Sequence, residues 1–377
     1  MVRGVYIHIP FCHQICNYCD FNKFFFHNQP VDEYIESLGK EMALWANDLQ
    51  KAEIETIFIG GGTPTSLSVD QLDRLLELIT TYIPMEHVTE FSSEANPDEL
   101  TLDKMQKMRE FGVNRLSMGV QTFDQDLLKV LGRTHSNDHV YEVINHAKQT
   151  DFPSISIDLM YGLPNQTMDQ WKASLQEAFR LKIPHISAYS LLVEPKTIFY
   201  NLLSKGKLSL PGEDLEAEMY GYLLEEMQSH GYIQYEISNF AYVGKESKHN
   251  LLYWNNDEYI GLGAGAHGYV NGKRYSNHGP IKKYMQTIET GEQPLMMQKE
   301  VTNVEKMEEE MFLGLRKNEG VSLAKFEERY GLTLRDVYGK ELDELLQREL
   351  LVLEDNFVRL TSRGRFMGNE VFQYFLK

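Results

Sequence analysis

Three cysteines, Cys12, Cys16 and Cys19, are the only ones in this chain of 377 residues, and all three fall inside the stretch Cys12-His13-Gln14-Ile15-Cys16-Asn17-Tyr18-Cys19. An odd number of thiols this close together cannot all pair as disulfides. Thiolates converging from one loop suit a soft metal centre. Cysteine thiolates are the usual holders of [4Fe–4S] cubes, and three ligands on a four-cornered cube leave one iron open. Two blander readings stand beside this one. A zinc site would take His13 or His8 as fourth ligand, but zinc sites usually come as two separated ligand pairs and no second pair exists here. Burial as small apolar side chains does not explain why the cysteines crowd together.

Composition narrows the classes. Hydrophobic residues make up 42% of the chain, ordinary for a globular protein with a sizeable core. No apolar run approaches the ~18 residues of a membrane span, so stable membrane insertion is not expected. The start, Met1-Val2-Arg3-Gly4-Val5-Tyr6, enters a strand without a signal-peptide core. Cluster thiolates also require a reducing compartment, and the expected location is cytoplasmic. A formal net charge of −18 repels phosphate backbones and anionic lipid, so nucleic acid is not an expected partner.

From the N-terminus to about residue 193 strands alternate with helices. β-rich runs fall at 4–9, 54–59, 88–93, 113–120, 154–159 and 185–191. Helical periodicity occupies 31–49, 69–82, 101–111, 138–148 and 168–182. Such β–α repeats predict a parallel sheet with crossover helices, whether closed as a barrel or open. In either case ligands sit beyond the C-terminal strand ends. The cysteines follow the first strand, where that rule wants them. A polar Gly- and Pro-containing linker spans 205–214, then a helix covers 215–231 and a strand 232–240. The small-residue run Gly261-Leu262-Gly263-Ala264-Gly265-Ala266-His267-Gly268 lacks the Lys-Ser/Thr ending of a phosphate loop and the dinucleotide fingerprint spacing. A turn that allows close backbone packing is the better reading. Three units are expected: 1–204, 205–300 and 301–377. The last reads as helices at 305–317, 323–330 and 334–347, then strands at 351–353 and 357–360, a winged-helix-like outline. Its third helix mixes Asp336, Glu341, Asp343 and Glu344 with Arg335 and Lys340, unlike a basic recognition helix, so a packing or partner role is expected.

C-x₃-C-x₂-C preceded by Val5-Tyr6-Ile7-His8-Ile9-Pro10-Phe11 resembles the cluster loop of the radical S-adenosylmethionine (SAM) superfamily. The resemblance implies an α/β fold, a partial (β/α)₆ barrel followed here by the winged-helix-like, mainly helical C-terminal domain. It also implies a [4Fe–4S] cluster on Cys12, Cys16 and Cys19, SAM on the open iron, and an electron donor. Gly60-Gly61-Gly62-Thr63 follows the second strand and resembles the motif that binds the amino group of SAM. Glu94, Gln121, Arg133 and Asp158 lie near the ends of later strands. Singly each reads as a cap or surface residue; together they suit a zwitterionic, hydroxylated ligand, with a guanidinium for its carboxylate. By resemblance Tyr6 and Tyr18 border SAM as well.

Within the superfamily, Tyr-x-His-Ile-Pro-Phe-Cys resembles the branch that contains oxygen-independent coproporphyrinogen III dehydrogenase and haem chaperones. Three features point to the carrier. Asp20-Phe21 stands where the dehydrogenases continue with Cys-x-Cys. The chain begins five residues before Tyr6, whereas the dehydrogenases have a long extension there. His249-Asn250-Leu251-Leu252-Tyr253-Trp254 matches the H-N-x-x-Y-W motif associated with haem in the chaperone group. On that reading His249 is an axial ligand, Asn250 belongs to the same motif, and Tyr253 and Trp254 border a porphyrin face. The same aromatics are also ordinary core residues. The expectation is a haem chaperone that hands haem to acceptor proteins such as respiratory ones; the alternative is the dehydrogenase.

Overall fold

Alternation of apolar and polar residues builds each of the first six strands. In β1 (Gly4–Ile9), Val5, Ile7 and Ile9 are fully buried, and by strand parity Gly4, Tyr6 and His8 point to the opposite face. β2 (Thr56–Gly61), β3 (Glu90–Ala95), β4 (Arg115–Gln121), β5 (Ser154–Tyr161) and β6 (His185–Ser190) follow in parallel register, each beside its predecessor. Helices α1 (Val31–Leu44), α2 (Val69–Tyr82), α3 (Leu102–Glu110), α4 (Asn137–Gln149) and α5 (Met168–Arg180) make the crossovers. Capping boxes at Ser68/Gln71 and Thr167/Gln170 start α2 and α5 where the apolar periodicity begins. The structure, a computed structural model, describes residues 1–376.

The segment from 205 to 300 adds strands to both margins of this sheet. β7 (Ile233–Glu236) and β8 (Asn239–Ala241) extend it beyond β6. The single strand predicted at 232–240 is thus two, because the Glu236 carboxylate accepts from the Ser238 N–H and the Asn239 amide and turns the chain. On the other margin β9 (Tyr259–Leu262) runs parallel to β1, and β10 (His267–Val270), β11 (Lys273–Asn277) and β12 (Leu295–Glu300) continue antiparallel. The order is β12-β11-β10-β9-β1-β2-β3-β4-β5-β6-β8-β7, with β12 and β7 as unjoined edges, so the barrel is partial.

The glycine run after β9 is a packing turn. A Cβ on Gly261 would lie 1.8 Å from the His267 carbonyl oxygen, and Gly263 has φ 101°. One core runs from Val2 to Ile288 and a second from Met307 to Phe375. The second comprises helices Asn303–Gly314, Leu323–Tyr330 and Leu334–Gln347 and a three-stranded wing whose first strand, Val321–Ser322, has too few residues to register as an alternating pattern.

Candidate metal and ligand site

The loop that leaves β1 carries the three cysteines to the C-terminal mouth of the barrel. Asn17 pins it through its N–H to the Leu131 carbonyl (2.9 Å) and its side-chain amide to the Val130 carbonyl (2.8 Å). Asn22 ties its far end down, donating to the Ala264 and Gly279 carbonyls (2.8 and 2.9 Å), while the Asn22 carbonyl meets His8 Nε2 at 2.7 Å. All three thiols are free. They line one cavity of about 140 Å³ together with Tyr18, Gly61, Gly62, Thr63, Glu94, Gln121, Arg133 and Asp158. Among the described residues no three His, Cys, Asp or Glu side chains group closely enough to hold a single metal ion. Three thiols are one short of the four ligands of a closed structural zinc site and match the number that a cube with one open iron takes.

Two donors already address the sulfurs. Thr63 Oγ1 lies 3.6 Å from Cys12 Sγ and Arg133 Nη1 lies 3.5 Å from Cys16 Sγ. Burial pushes the Cys12 thiol up to about 12 against the help of Thr63, so metal loading there must displace a proton.

Gly61 and Gly62 are required by geometry. Gly61 has φ 114°, and a Cβ on Gly62 would lie 2.8 Å from the Phe11 carbonyl oxygen. The Gly61 N–H donates to Glu94 Oε2 at 3.0 Å. Burial first, and then the nearby Asp158, push the Glu94 carboxyl up to about 8. Asp158 accepts from the Ser117 hydroxyl at 3.2 Å. Gln121 ends β4 with φ 66°, beside a register shift at Gly119. A left-handed amide at the lip of a cavity is the kind of strain that a site stores. Arg133 donates to Asn96 Oδ1 at 2.9 Å and to the Gly119 carbonyl, while its buried Nε has no partner. Tyr6 is not in the cavity wall but lies near Glu94, which does line it; its hydroxyl meets His8 Nδ1 at 2.9 Å and its ring stacks on Phe58.

Asn96 escaped the reading of the sequence. It links Arg133 to Thr63, donating to Thr63 Oγ1 at 3.2 Å. The available signal was its position two residues after Glu94, which continues the same face past the strand end.

The H-N-x-x-Y-W residues lie at the other end of the barrel. They form helix α6 (Lys248–Trp254), seated on the first residues of β2 and β3. His249 is 1% exposed. Its Nδ1 meets Thr56 Oγ1 and its Nε2 the Tyr253 hydroxyl, both at 2.8 Å, so neither ring nitrogen is open to iron in this conformation. This departs from the axial-ligand expectation, and the reason is position: α6 plugs the barrel floor. The Asn250 N–H is capped by Ser247 Oγ, and Trp254 lies under the Arg316 guanidinium with its buried Nε1 unpartnered.

A partial parallel barrel with a three-cysteine loop after its first strand defines a radical SAM protein. Residues 6–178 match the Radical SAM superfamily and residues 301–367 the HemN C-terminal domain. The chain is 49% identical to "Heme chaperone HemW" of Bacillus subtilis over 376 residues, covering 100% of this chain and 99% of that protein. It is 33% identical to the protein of the same name from Escherichia coli, covering 99% and 98%. In solved structures it resembles coproporphyrinogen III oxidase (HemN) from Escherichia coli, with a TM-score of 0.87 at 24% identity over 99% of this chain and 90% of that one, which shows the shared fold. The chain belongs to the heme chaperone HemW family of the radical SAM superfamily. Among the described residues no helix is long and apolar enough to cross a membrane.

Proposed function

We propose that this protein is a cytoplasmic haem chaperone that binds haem, carries a [4Fe–4S] cluster with exchangeable SAM, and passes haem to acceptor proteins. The observation that carries the reading is identity at the level of 49% along the whole chain to a protein named as a chaperone, where likeness to the oxidase stops at the fold. Asp20-Phe21 after Cys19, in place of a further cysteine, points the same way.

Cys12, Cys16 and Cys19 would hold the cluster, which would bind SAM at its open iron and could pass it an electron supplied by a donor. Arg133 takes the carboxylate of SAM, with the otherwise unpartnered Nε as the extra donor. The Gly61–Thr63 backbone takes the amino group. Glu94, Gln121 and Asp158 take the remaining ammonium and ribose hydroxyl contacts, and Tyr18 closes the side. Haem ligation through His249 requires α6 to leave Thr56 and the ring to turn from Tyr253.

The test is an anaerobic haem titration of the reconstituted protein, followed by Soret absorbance, beside a coproporphyrinogen III turnover assay with SAM and a reductant. Stoichiometric haem binding without porphyrinogen oxidation supports the chaperone. Turnover with weak or no haem binding replaces it with the dehydrogenase.

A further inference from the structure

The amide of Asn96 stands between the two donors that reach the cysteine sulfurs. Arg133 Nη2 donates to Asn96 Oδ1 at 2.9 Å, and Asn96 Nδ2 donates to Thr63 Oγ1 at 3.2 Å. The same Arg133 aims Nη1 at Cys16 Sγ (3.5 Å), and Thr63 Oγ1 lies 3.6 Å from Cys12 Sγ. One side chain in the wall of the cavity thus touches both residues that address the thiols.

The partners of this amide leave it one way round. A guanidinium has donors only, so the group that faces Arg133 must be the amide oxygen. The nitrogen then faces Thr63 and a second acceptor, the Glu99 carboxylate. The backbone holds that orientation just past the end of β3. The Asn96 N–H donates to the buried Thr65 Oγ1 at 3.1 Å, and the Thr65 carbonyl accepts from Lys104 Nζ of α3 at 2.6 Å.

The effect on Thr63 follows from its hydrogens. A threonine hydroxyl has one hydrogen to give and two lone pairs to offer. The Asn96 amide takes up a lone pair, so the hydrogen turns away from it, and Cys12 Sγ is the acceptor within reach. Thr63 is only 4% exposed, which shields that hydrogen from competing water. Hydrogen bonds to the sulfurs of an iron–sulfur cluster help to set its potential. They favour the more negative, reduced state.

We propose that Asn96 is a positioning residue for the cluster: by donating to Thr63 it aims the hydroxyl hydrogen at the Cys12 sulfur and raises the reduction potential. This rests on the reading of the three cysteines as cluster ligands. The amide cannot be replaced by a carboxylate of the same shape. An aspartate would turn an acceptor toward Thr63 and draw the hydrogen off the sulfur, even with a proton shared toward Glu99.

The experiment is a redox titration of the reconstituted protein without SAM, followed by electron paramagnetic resonance, on the unaltered chain, Thr63→Val, Asn96→Asp and the double variant. Thr63→Val keeps the shape of the side chain and removes the hydroxyl. It should shift the equilibrium toward the oxidised cluster about tenfold, which is about 59 mV for a one-electron couple. Asn96→Asp should shift it in the same direction by a similar factor. In the Thr63→Val background the aspartate should add less than about threefold, because no hydrogen remains to be redirected. Iron and sulfide content checks that each cluster is intact. If Asn96→Asp holds none, Asn96→Ala replaces it, with the same direction expected and the same cancellation by Thr63→Val. An unmoved potential in Thr63→Val or in the Asn96 variant overturns the proposal. So does a shift that is as large with valine at position 63 as with threonine, since charge or packing then acts alone. An unaltered protein that takes up no iron and sulfide removes the cluster reading itself, which is a separate failure.

Discussion

Two glutamates on one strand, four residues apart and on the same face, meet opposite fates. Glu90 opens β3 at the barrel floor. Its carboxylate accepts from the N–H groups of Lys248 (2.8 Å) and His249 (3.0 Å) and from the Ser247 hydroxyl (3.4 Å), the start of α6. Those are orphan donors of a helix N-terminus, where a negative charge is also favoured by the helix dipole. Glu94, at the mouth, has a single donor in the Gly61 N–H and faces Asp158. The Glu90 carboxylate finds its donors inside the protein, whereas the mouth leaves the Arg133 Nε to be completed by something that binds. Buried polarity alone therefore does not mark a site. Unsatisfied polarity gathered with three thiols around one cavity does.

The comparison breaks first at the cysteines. Cys12→Ala, Cys16→Ala or Cys19→Ala should each abolish the reconstituted cluster, read as loss of its visible absorbance and of bound iron and sulfide. A protein that kept a full complement of both would refute the assignment of that cysteine. Glu90→Ala should come next, acting on stability instead. It strands buried donors and uncaps α6, at a cost of about 3 kcal/mol or more in urea unfolding. The cluster spectrum of the folded protein should not change.

Glu94→Gln should do the reverse. SAM binding, measured by calorimetry on cluster-loaded protein, should weaken about tenfold, with no loss of stability. The wild-type carboxyl moves up from 4.5 to about 8 on folding, so the folded chain holds that proton more tightly than the unfolded one. Stability from this group is present below the lower value and lost as pH rises toward the higher one. In Glu94→Gln that part of the decline should vanish from unfolding curves taken between those limits. A slope that persists unchanged means that other groups carry it.

How much of this was legible before the structure differs between the two ends. The six crossover strands were, because each is short and followed by a helical pattern, and the crossover helices after α1 each open on a Ser or Thr cap. β9 was not: Tyr259–Leu262 is a parallel strand only because it pairs with β1, some 250 residues earlier, and nothing local announces that. The cysteine loop was legible since its chemistry is confined to one short stretch. Glu94, Gln121 and Asp158 gather around one cavity because each lies in the C-terminal half of its strand, and strand ends are visible in a pattern; Arg133 joins them from the turn after the helix Gln125–Leu131. Asn96, two residues beyond Glu94, needed only the same parity argument carried past the strand. The floor was out of reach. Whether H-N-x-x-Y-W plugs a barrel or faces a ligand depends on the register that brings Thr56 and Glu90 under it, and no motif encodes that.

The smallest effect sharpens the same point. Burial drives the His249 pKa down to about 3, so its imidazole is neutral at ordinary pH, with one nitrogen donating and the other accepting. The hydroxyls of Thr56 and Tyr253 can each take either role, and together they satisfy whichever tautomer is present. Thr56→Val keeps the shape of the side chain but removes one of these partners, at a cost of about 1 kcal/mol in unfolding. Its effect on haem tests what the stability change cannot, whether His249 is a ligand. If His249 leaves the floor to bind iron, freeing its Nδ1 lowers the cost of departure and haem affinity rises. If His249 stays in the floor, the titration of Thr56→Val superimposes on that of the unaltered protein, and the floor is structure alone.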